Sequence, residues 1–311
     1  MDYTLPEWDY TKAELIEEVR MWGVKRYLYK LPDAMQIHGT DSPIYFYHYE
    51  PVACELLKQK RSLVISYPIL GGKMEITNGK SKFKDPASHF GAWFCATALQ
   101  RNGIVVATNN QLIFQAGFTP QDVYLELQNV VYNHIQVHDF LINSGKFPKV
   151  NTTKFHHFGI SLGALTAVAV AGITGRYKSL TAIMGGAPLS KVIAYSREKS
   201  VKDYFELAMI NLHKTREELI ADMDETFAEV DTYNAAQNIE TDKVFLVLAL
   251  FDDSVPNNIL RPNEPKTGYI LKEQLGDPKT DYYPTTHYIM VGMVLFWLPK
   301  MIKNITNHDK R

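Results

Sequence analysis

Residues 156–172 read HHFGISLGALTAVAVAG, and within them Gly159-Ile160-Ser161-Leu162-Gly163 sets one serine between two glycines four positions apart. The run before it, TKFHHFGI (153–160), reads as a strand, and LGALTAVAVAGI (162–173) reads as a helix of small residues. A strand that turns at once into a helix forces a strained backbone on the corner residue, so its neighbours two positions away must be small. Gly159 and Gly163 meet that demand. Such a corner lifts the Ser161 hydroxyl above the sheet edge, with a helix N-terminus beneath that favours developing negative charge. Ser161 is the candidate nucleophile. Ala164, Thr166, Ala167 and Ala169 let the helix pack close to the sheet.

Around this corner, β-rich runs alternate with helical patterns. Strands are expected at 45–51, 62–69, 104–109, 153–160, 179–186 and 243–251. Helices are expected at 85–103, 119–143, 162–173 and 288–302. Asp85 with Pro86, and Thr119 with Pro120, look like cap and first-turn pairs, and Gly103 looks like a stop. The unbroken apolar run KVFLVLALF (243–251) suits a strand buried on both faces, and the alternation predicts an α/β fold with a mostly parallel sheet covered on both sides. One interval, 189–240, holds no strand pattern, is charged and helical in propensity, and is too long for an ordinary loop. It is expected to be a helical cap insertion on a core formed by 1–188 and 241–311. Within it Tyr204, Phe205, Leu207, Leu212, Leu219 and Phe227 should face the core or the substrate, and Lys214, Glu217 and Glu218 should face solvent.

The chain has 311 residues, 46% hydrophobic and 22% charged, which is ample core material. Lys+Arg 33 against Asp+Glu 34 offers no polyelectrolyte attraction, so nucleic acid is not an expected partner. Cys54 and Cys95 form neither a disulfide framework nor a metal-binding spacing and read as buried thiols. The N-terminus has no basic and apolar signal pattern, and no apolar stretch reaches the ~20 residues of a membrane span. A soluble, cytoplasmic protein is the expectation, so the sequons at Asn151 and Asn304 carry no weight. Oligomeric state has no signature in the sequence.

A serine needs a base, and the base needs an orienting acid. In strand–turn–helix architectures these follow in the order Ser, Asp or Glu, His. After the strand at 243–251 comes Asp252-Asp253-Ser254-Val255-Pro256, at a strand's C-terminal end where open α/β sheets bind ligands. Then comes YYPTTHYIMVG, with His287 in a Thr-rich loop just before the last helix. His308, beyond that helix, is a poor candidate. FGISLG, LALFDDSVP and TTHYIM together make the chain, over roughly 40–302, resemble an α/β-hydrolase. That resemblance implies a serine hydrolase acting on an ester, thioester or related acyl bond of a small molecule, without cofactor or metal. The superfamily's D-x-x-V-P pattern matches Asp252 rather than Asp253. It also implies an oxyanion hole from the Leu162 N–H and a second N–H in SYPILGG (66–72). No histidine precedes the glycines there, and Pro68 cannot donate, leaving Leu70, or else Ile69. Acyl transfer or peptide cleavage by the same triad, or a binding scaffold without catalysis, are the rival readings.

Of the other histidines, His134 and His138 stand one helical turn apart, without a carboxylate motif to make them a metal site. His156 and His157 read as packed or half-exposed strand residues, and the tyrosines at 44–50 and 282–283 as core and rim.

Overall fold

The strands at the centre of the sheet bury both faces, and their alternate side chains lead into two separate cores. The computed structural model describes residues 9–32, 43–52, 60–70, 74–77, 80–83, 86–107 and 113–309. Its strands are β1 (Glu14–Met21), β2 (Val24–Leu31), β3 (Ile44–Pro51), β4 (Arg61–Tyr67), β5 (Met74–Thr77), β6 (Lys80–Phe83), β7 (Asn102–Ala107), β8 (Val150–Ile160), β9 (Ser179–Ile183), β10 (Val244–Ala249) and β11 (Lys279–Tyr283). Nine of them form one sheet in the order β1-β2-β3-β7-β4-β8-β9-β10-β11, and β5 pairs only with β6. From β7 to β11 every pairing is parallel; β1, β2, β3 and β7 pair antiparallel.

The helices are α1 (Pro86–Thr97), α2 (Pro120–Asn143), α3 (Leu162–Thr174), α4 (Leu189–Tyr195), α5 (Lys199–Leu212), α6 (Arg216–Thr226), α7 (Thr232–Ala236), α8 (Thr267–Gln274), α9 (His287–Gly292) and α10 (Val294–Asp309). Leu63, Ile65, Leu180, Ala182, Leu246 and Leu248 point to the face covered by α2, α3 and α8. Val64, Ile183, Phe245 and Val247 point to the other, where Cys95 of α1 and Trp297, Leu298 and Met301 of α10 pack. This two-residue period, apolar on both sides, is what parallel strands between helical layers require. The sheet is mostly parallel with helices on both faces.

Several elements differ from expectation. The helix expected to reach Gly103 ends at Thr97, and Gly103 lies within β7; Asp85, its expected cap, lies outside the described residues. The expected C-terminal helix is two helices. The Met290 carbonyl, which a continuous helix would pair with the Val294 N–H, accepts instead from the Met293 N–H at 3.0 Å and the Trp297 ring at 3.3 Å. His308 is inside α10 and buried rather than beyond the helix. Thr119 caps α2 as expected, in a reciprocal box with Asp122 and with Pro120 in the first turn. Cys95 is a buried free thiol whose pKa burial pushes up to about 12; Cys54 lies outside the described residues. No helix among the described residues is long and apolar enough to cross a membrane.

Between β9 and β10 the chain is helical, as α4 to α7. Tyr204, Phe205, Leu219 and Phe227 are buried in a cluster with Leu127 of α2 and Leu162 and Leu165 of α3; Leu207 and Leu212 are half-buried. Glu217 and Glu218 are exposed, and half-buried Lys214 pairs with Asp222. α4 packs with α5 and α6, and α7 lies back against α3.

Candidate active site

Ser161 sits between β8 and α3 at φ 57° and ψ −125°, a region that costs a residue with a Cβ about 1–3 kcal/mol. Its N–H donates to the Ile183 carbonyl at 2.9 Å, which anchors the corner to β9. The two glycines permit the turn because backbone passes where a Cβ would stand. A Cβ on Gly159 would lie 2.1 Å from the Gly163 carbonyl oxygen, and one on Gly163 would lie 2.2 Å from the Tyr67 oxygen and 2.9 Å from the Pro68 oxygen. The second approach draws the loop after β4 onto the start of α3. Ile69, Leu70, Ser161 and Leu162 consequently line one cavity. The Leu162 N–H, at the first position of α3, has no acceptor among the described residues, which is the normal condition of a helix start. Gly71 and Gly72 lie outside the described residues.

Asp252 follows β10 at the C-terminal edge of the sheet. It is 1% exposed, and its Oδ1 accepts the Ser254 and Val255 N–H groups, each at 2.9 Å. His287, 7% exposed, directs Nδ1 at both carboxylate oxygens, 3.0 and 2.8 Å away. An ionised carboxylate only accepts hydrogen bonds, so Nδ1 carries the proton and Nε2 is left as a free lone pair. His287 is the first residue of α9, with Thr286 in the N-cap position but making no side-chain cap hydrogen bond, rather than part of the preceding loop. Its ring lines the same cavity of about 380 Å³ as Ser161, without a direct hydrogen bond between them.

Asp253 points elsewhere. Partial burial works to raise its pKa, but hydrogen bonds from Asn258 and Arg261 outweigh this and hold it below the usual carboxylate range. The ion pair with Arg261 occupies it.

Two further features connect to this site and have no sequence signature. The connection between α4 and α5 is tied to the acid-bearing loop, Ser196 Oγ donating to the Ser254 carbonyl at 2.6 Å and the Arg197 N–H to the Asp253 carbonyl at 2.8 Å. Tyr288, next to His287, donates to Glu198 of the same connection. Below the corner, His157 on β8 bonds the Tyr67 hydroxyl at 2.6 Å and the Arg176 carbonyl at 3.0 Å. His134 lies against the Tyr67 ring, and His138 packs on His157 and Phe155. Burial lowers the pKa of His134 to about 3 and of His157 to about 4, and takes His138 well below its ordinary value. His156 is likewise buried, between Ser179 and Asp309. Among the described residues, no group of three or more His, Cys, Asp or Glu is arranged to hold a metal ion.

Comparison with solved structures places this architecture. Acetyl xylan esterase 1 from Thermoanaerobacterium sp. JW/SL YS485 is similar at a TM-score of 0.64 and 17% identity, over 94% of this chain and 88% of that one. An S-formylglutathione hydrolase from Agrobacterium tumefaciens is similar at 0.59 and 12% identity, over 96% and 99%. This is the α/β-hydrolase fold. An acylaminoacyl peptidase from Pyrococcus horikoshii shares it at 0.54 and 12% identity, over 90% of this chain but 40% of that one. No protein-family model matches the chain, and neither does any curated protein. In this α/β-hydrolase fold the corner serine, the acid after β10 and the histidine after β11 all emerge at the C-terminal edge of the parallel strands, where open α/β sheets bind ligands.

Proposed function

We propose that the protein is a serine hydrolase that cleaves a carboxylic ester or related acyl bond through an acyl-enzyme. The observation that carries this reading is the buried His287–Asp252 pair opening on the same cavity as Ser161, which is held on a strained turn. The reported esterase relatives share the fold, and this supports the class of reaction without defining the substrate.

Ser161 Oγ attacks the acyl carbon while its proton passes to His287 Nε2, the nitrogen that the Asp252 contact leaves unprotonated. Hydrogen bonds between nucleophile and base are often long before substrate is bound, and they shorten in the reacting complex. The tetrahedral oxyanion is stabilised by the Leu162 N–H, free at the start of α3, and by the Leu70 N–H from the loop that Gly163 draws close. His287 returns the proton to the departing alkoxide. Water then attacks the acyl carbon as its proton passes to the same nitrogen, the bond to Ser161 Oγ breaks to release the acid, and His287 returns the proton to Oγ. Asp252, held by two backbone N–H groups as well as the ring, fixes the tautomer and stabilises the imidazolium. In this reading α4 to α6 act as a cap, since α4 supplies Leu189, Val192 and Ile193 to the cavity wall and the covering helices exclude water.

A fluorophosphonate should label the wild-type protein at Ser161, and Ser161→Ala should abolish labelling. Ester turnover by Ser161→Ala should fall to the residual ~10³–10⁴-fold over water that binding and an oxyanion hole supply. Wild-type kcat in Ser161→Ala would exclude the mechanism.

A further inference from the structure

We propose that the cavity beside Ser161 takes an apolar, unbranched acyl chain of about six to ten carbons, laid along α3 between α2 and α4. This assignment rests on the hydrolase reading above and adds the substrate class.

The lining is divided by polarity. Phe114, Leu127, Leu165, Leu189, Val192 and Ile193 form its inner walls, and no lysine or arginine is among the described residues that line it. An acyl group with a charged or strongly polar tail would lose its hydration there and find no partner. The polar groups Ser196 and Glu198 stand on the connection between α4 and α5, Ser200 in the first turn of α5, and Tyr288 beside His287. Tyr288 is 69% exposed, so this is the solvent mouth, where the leaving group departs.

Beside the apolar end lies a second, small void of about 20 Å³ that shares Leu127, Leu162, Leu165 and Leu189 with the main cavity. Its remaining walls include Val130, Ala169 and Val230. The two hydroxyls that border it are already satisfied: Thr166 donates to the Leu162 carbonyl at 3.0 Å and Thr232 to the Gly186 carbonyl at 2.8 Å. A void with no open polar group does not hold water well, and it suits the end of a hydrocarbon chain.

The direction and length follow from α3. Leu162, Leu165, Thr166 and Ala169 share one helix face, beginning next to Ser161, and all four line one or both spaces. From residue 162 to residue 169 the helix rises roughly 10 Å. A hydrocarbon zigzag of ~1.5 Å bonds covers that distance in about eight carbons. A two-carbon acyl group would leave most of this wall bare.

The test is kcat/KM across p-nitrophenyl esters from acetate to laurate, with thermal melts in octanamide and acetamide. A buried methylene is worth up to about fourfold, so the hexanoate to decanoate esters should exceed acetate by at least about tenfold. Octanamide, a neutral mimic, should raise Tm by about 2 °C or more where acetamide does not. Leu165→Ala, which joins the two spaces, should move the optimum to longer chains; Leu127→Trp, which fills the inner end, should move it to shorter ones. Variants are judged by the position of the optimum, not its height. An optimum at acetate, or one that neither variant moves, overturns the assignment. If Ser161 takes no fluorophosphonate and no ester turns over while octanamide still raises Tm, the hydrolase reading fails and the apolar-chain site stands. If none of these responses appears, both fail.

Discussion

Replacing His138 by phenylalanine should make the protein less sensitive to acid. His134, His138 and His157 are at most 1% exposed, and no hydrogen-bond partner among the described residues meets either ring nitrogen of His138 or Nδ1 of His134. Burial holds all three neutral: the folded pKa is about 3 for His134, about 4 for His157 and well below ordinary for His138, against about 6.5 in an unfolded chain. Between these limits the unfolded state binds protons that the folded state refuses. Stability therefore is complete above about pH 6.5 and falls as pH drops, by ~1.4 kcal/mol per pH unit for each group, or roughly 4 kcal/mol per unit for three. Asp231 opposes this. Burial raises its pKa to about 6, so below pH 6 the folded state holds a proton that the unfolded carboxylate lacks. These four groups together give a slope of about 3 kcal/mol per pH unit between pH 6 and 5, and His48 and His89, whose pKa burial also lowers, add to it; this is large against a total stability of roughly 5–15 kcal/mol. In His138→Phe the ring keeps its packing on Phe155 and His157, loses no hydrogen bond and cannot charge. Its slope should fall by ~1.4 kcal/mol per unit, with stability at pH 7.5 unchanged within about 1 kcal/mol or raised. Urea unfolding at pH 7.5, 6.0 and 5.0, followed by tryptophan fluorescence, measures both proteins. Parallel stability curves for the two, or a wild-type slope below about 1 kcal/mol per unit, would refute the reasoning.

Two other expectations bear on the site. Asp252→Asn should lower kcat on a preferred ester by about 10⁴-fold by favouring the wrong imidazole tautomer. Asp253→Asn, which only loosens the ion pair to Arg261, should leave kcat within a few-fold and cost less than about 1 kcal/mol; a reversed ranking would move the acid to Asp253. Gly163→Ala should cost at least about 1–3 kcal/mol and lower kcat, because its Cβ would displace the Tyr67–Pro68 backbone that carries Leu70. A Gly163→Ala protein with wild-type Tm and kcat would contradict that close approach.

The parts of the sheet that local pattern reveals are those buried on both sides. KVFLVLALF is legible as β10 because every second residue must satisfy a different core. Within the nine-stranded sheet, the strands that escape such reading are β1, β2 and β11. β1 and β11 are the two edges of the sheet, and both carry charge: ELIEEVRM is exposed or half-exposed throughout, and KTDYY has no buried residue. Edge strands are blunted by charged side chains against pairing with other chains, which erases the apolar alternation that would announce them. The break between α9 and α10 is hidden for another reason. Helical spacing continues across Gly292 and Met293, and the ring that closes on the open Met290 carbonyl comes from Trp297, seven residues on.

The candidate site divides along the same line. Motif and chain order bring Ser161, Asp252 and His287 into view: Ser161 and Asp252 follow strand ends whose local sequence is distinctive, and His287 is the next histidine after the acid in chain order. What holds them depends on register. Tyr67 lies opposite Gly159, and Ile65 opposite His157, only because β4 and β8 are neighbours although about ninety residues separate them. That pairing sets the Tyr67–Pro68 carbonyls against Gly163, so the loop carrying Leu70 and the helix offering the Leu162 N–H meet at one point. It also places the Tyr67 hydroxyl over His157, with His134 of α2 against the same ring. A buried, uncharged histidine layer thus supports the backbone on which the proposed oxyanion contacts depend. Charging that layer would press first on β4, β8 and α2, so the loss of tertiary packing on acidification should begin at these elements.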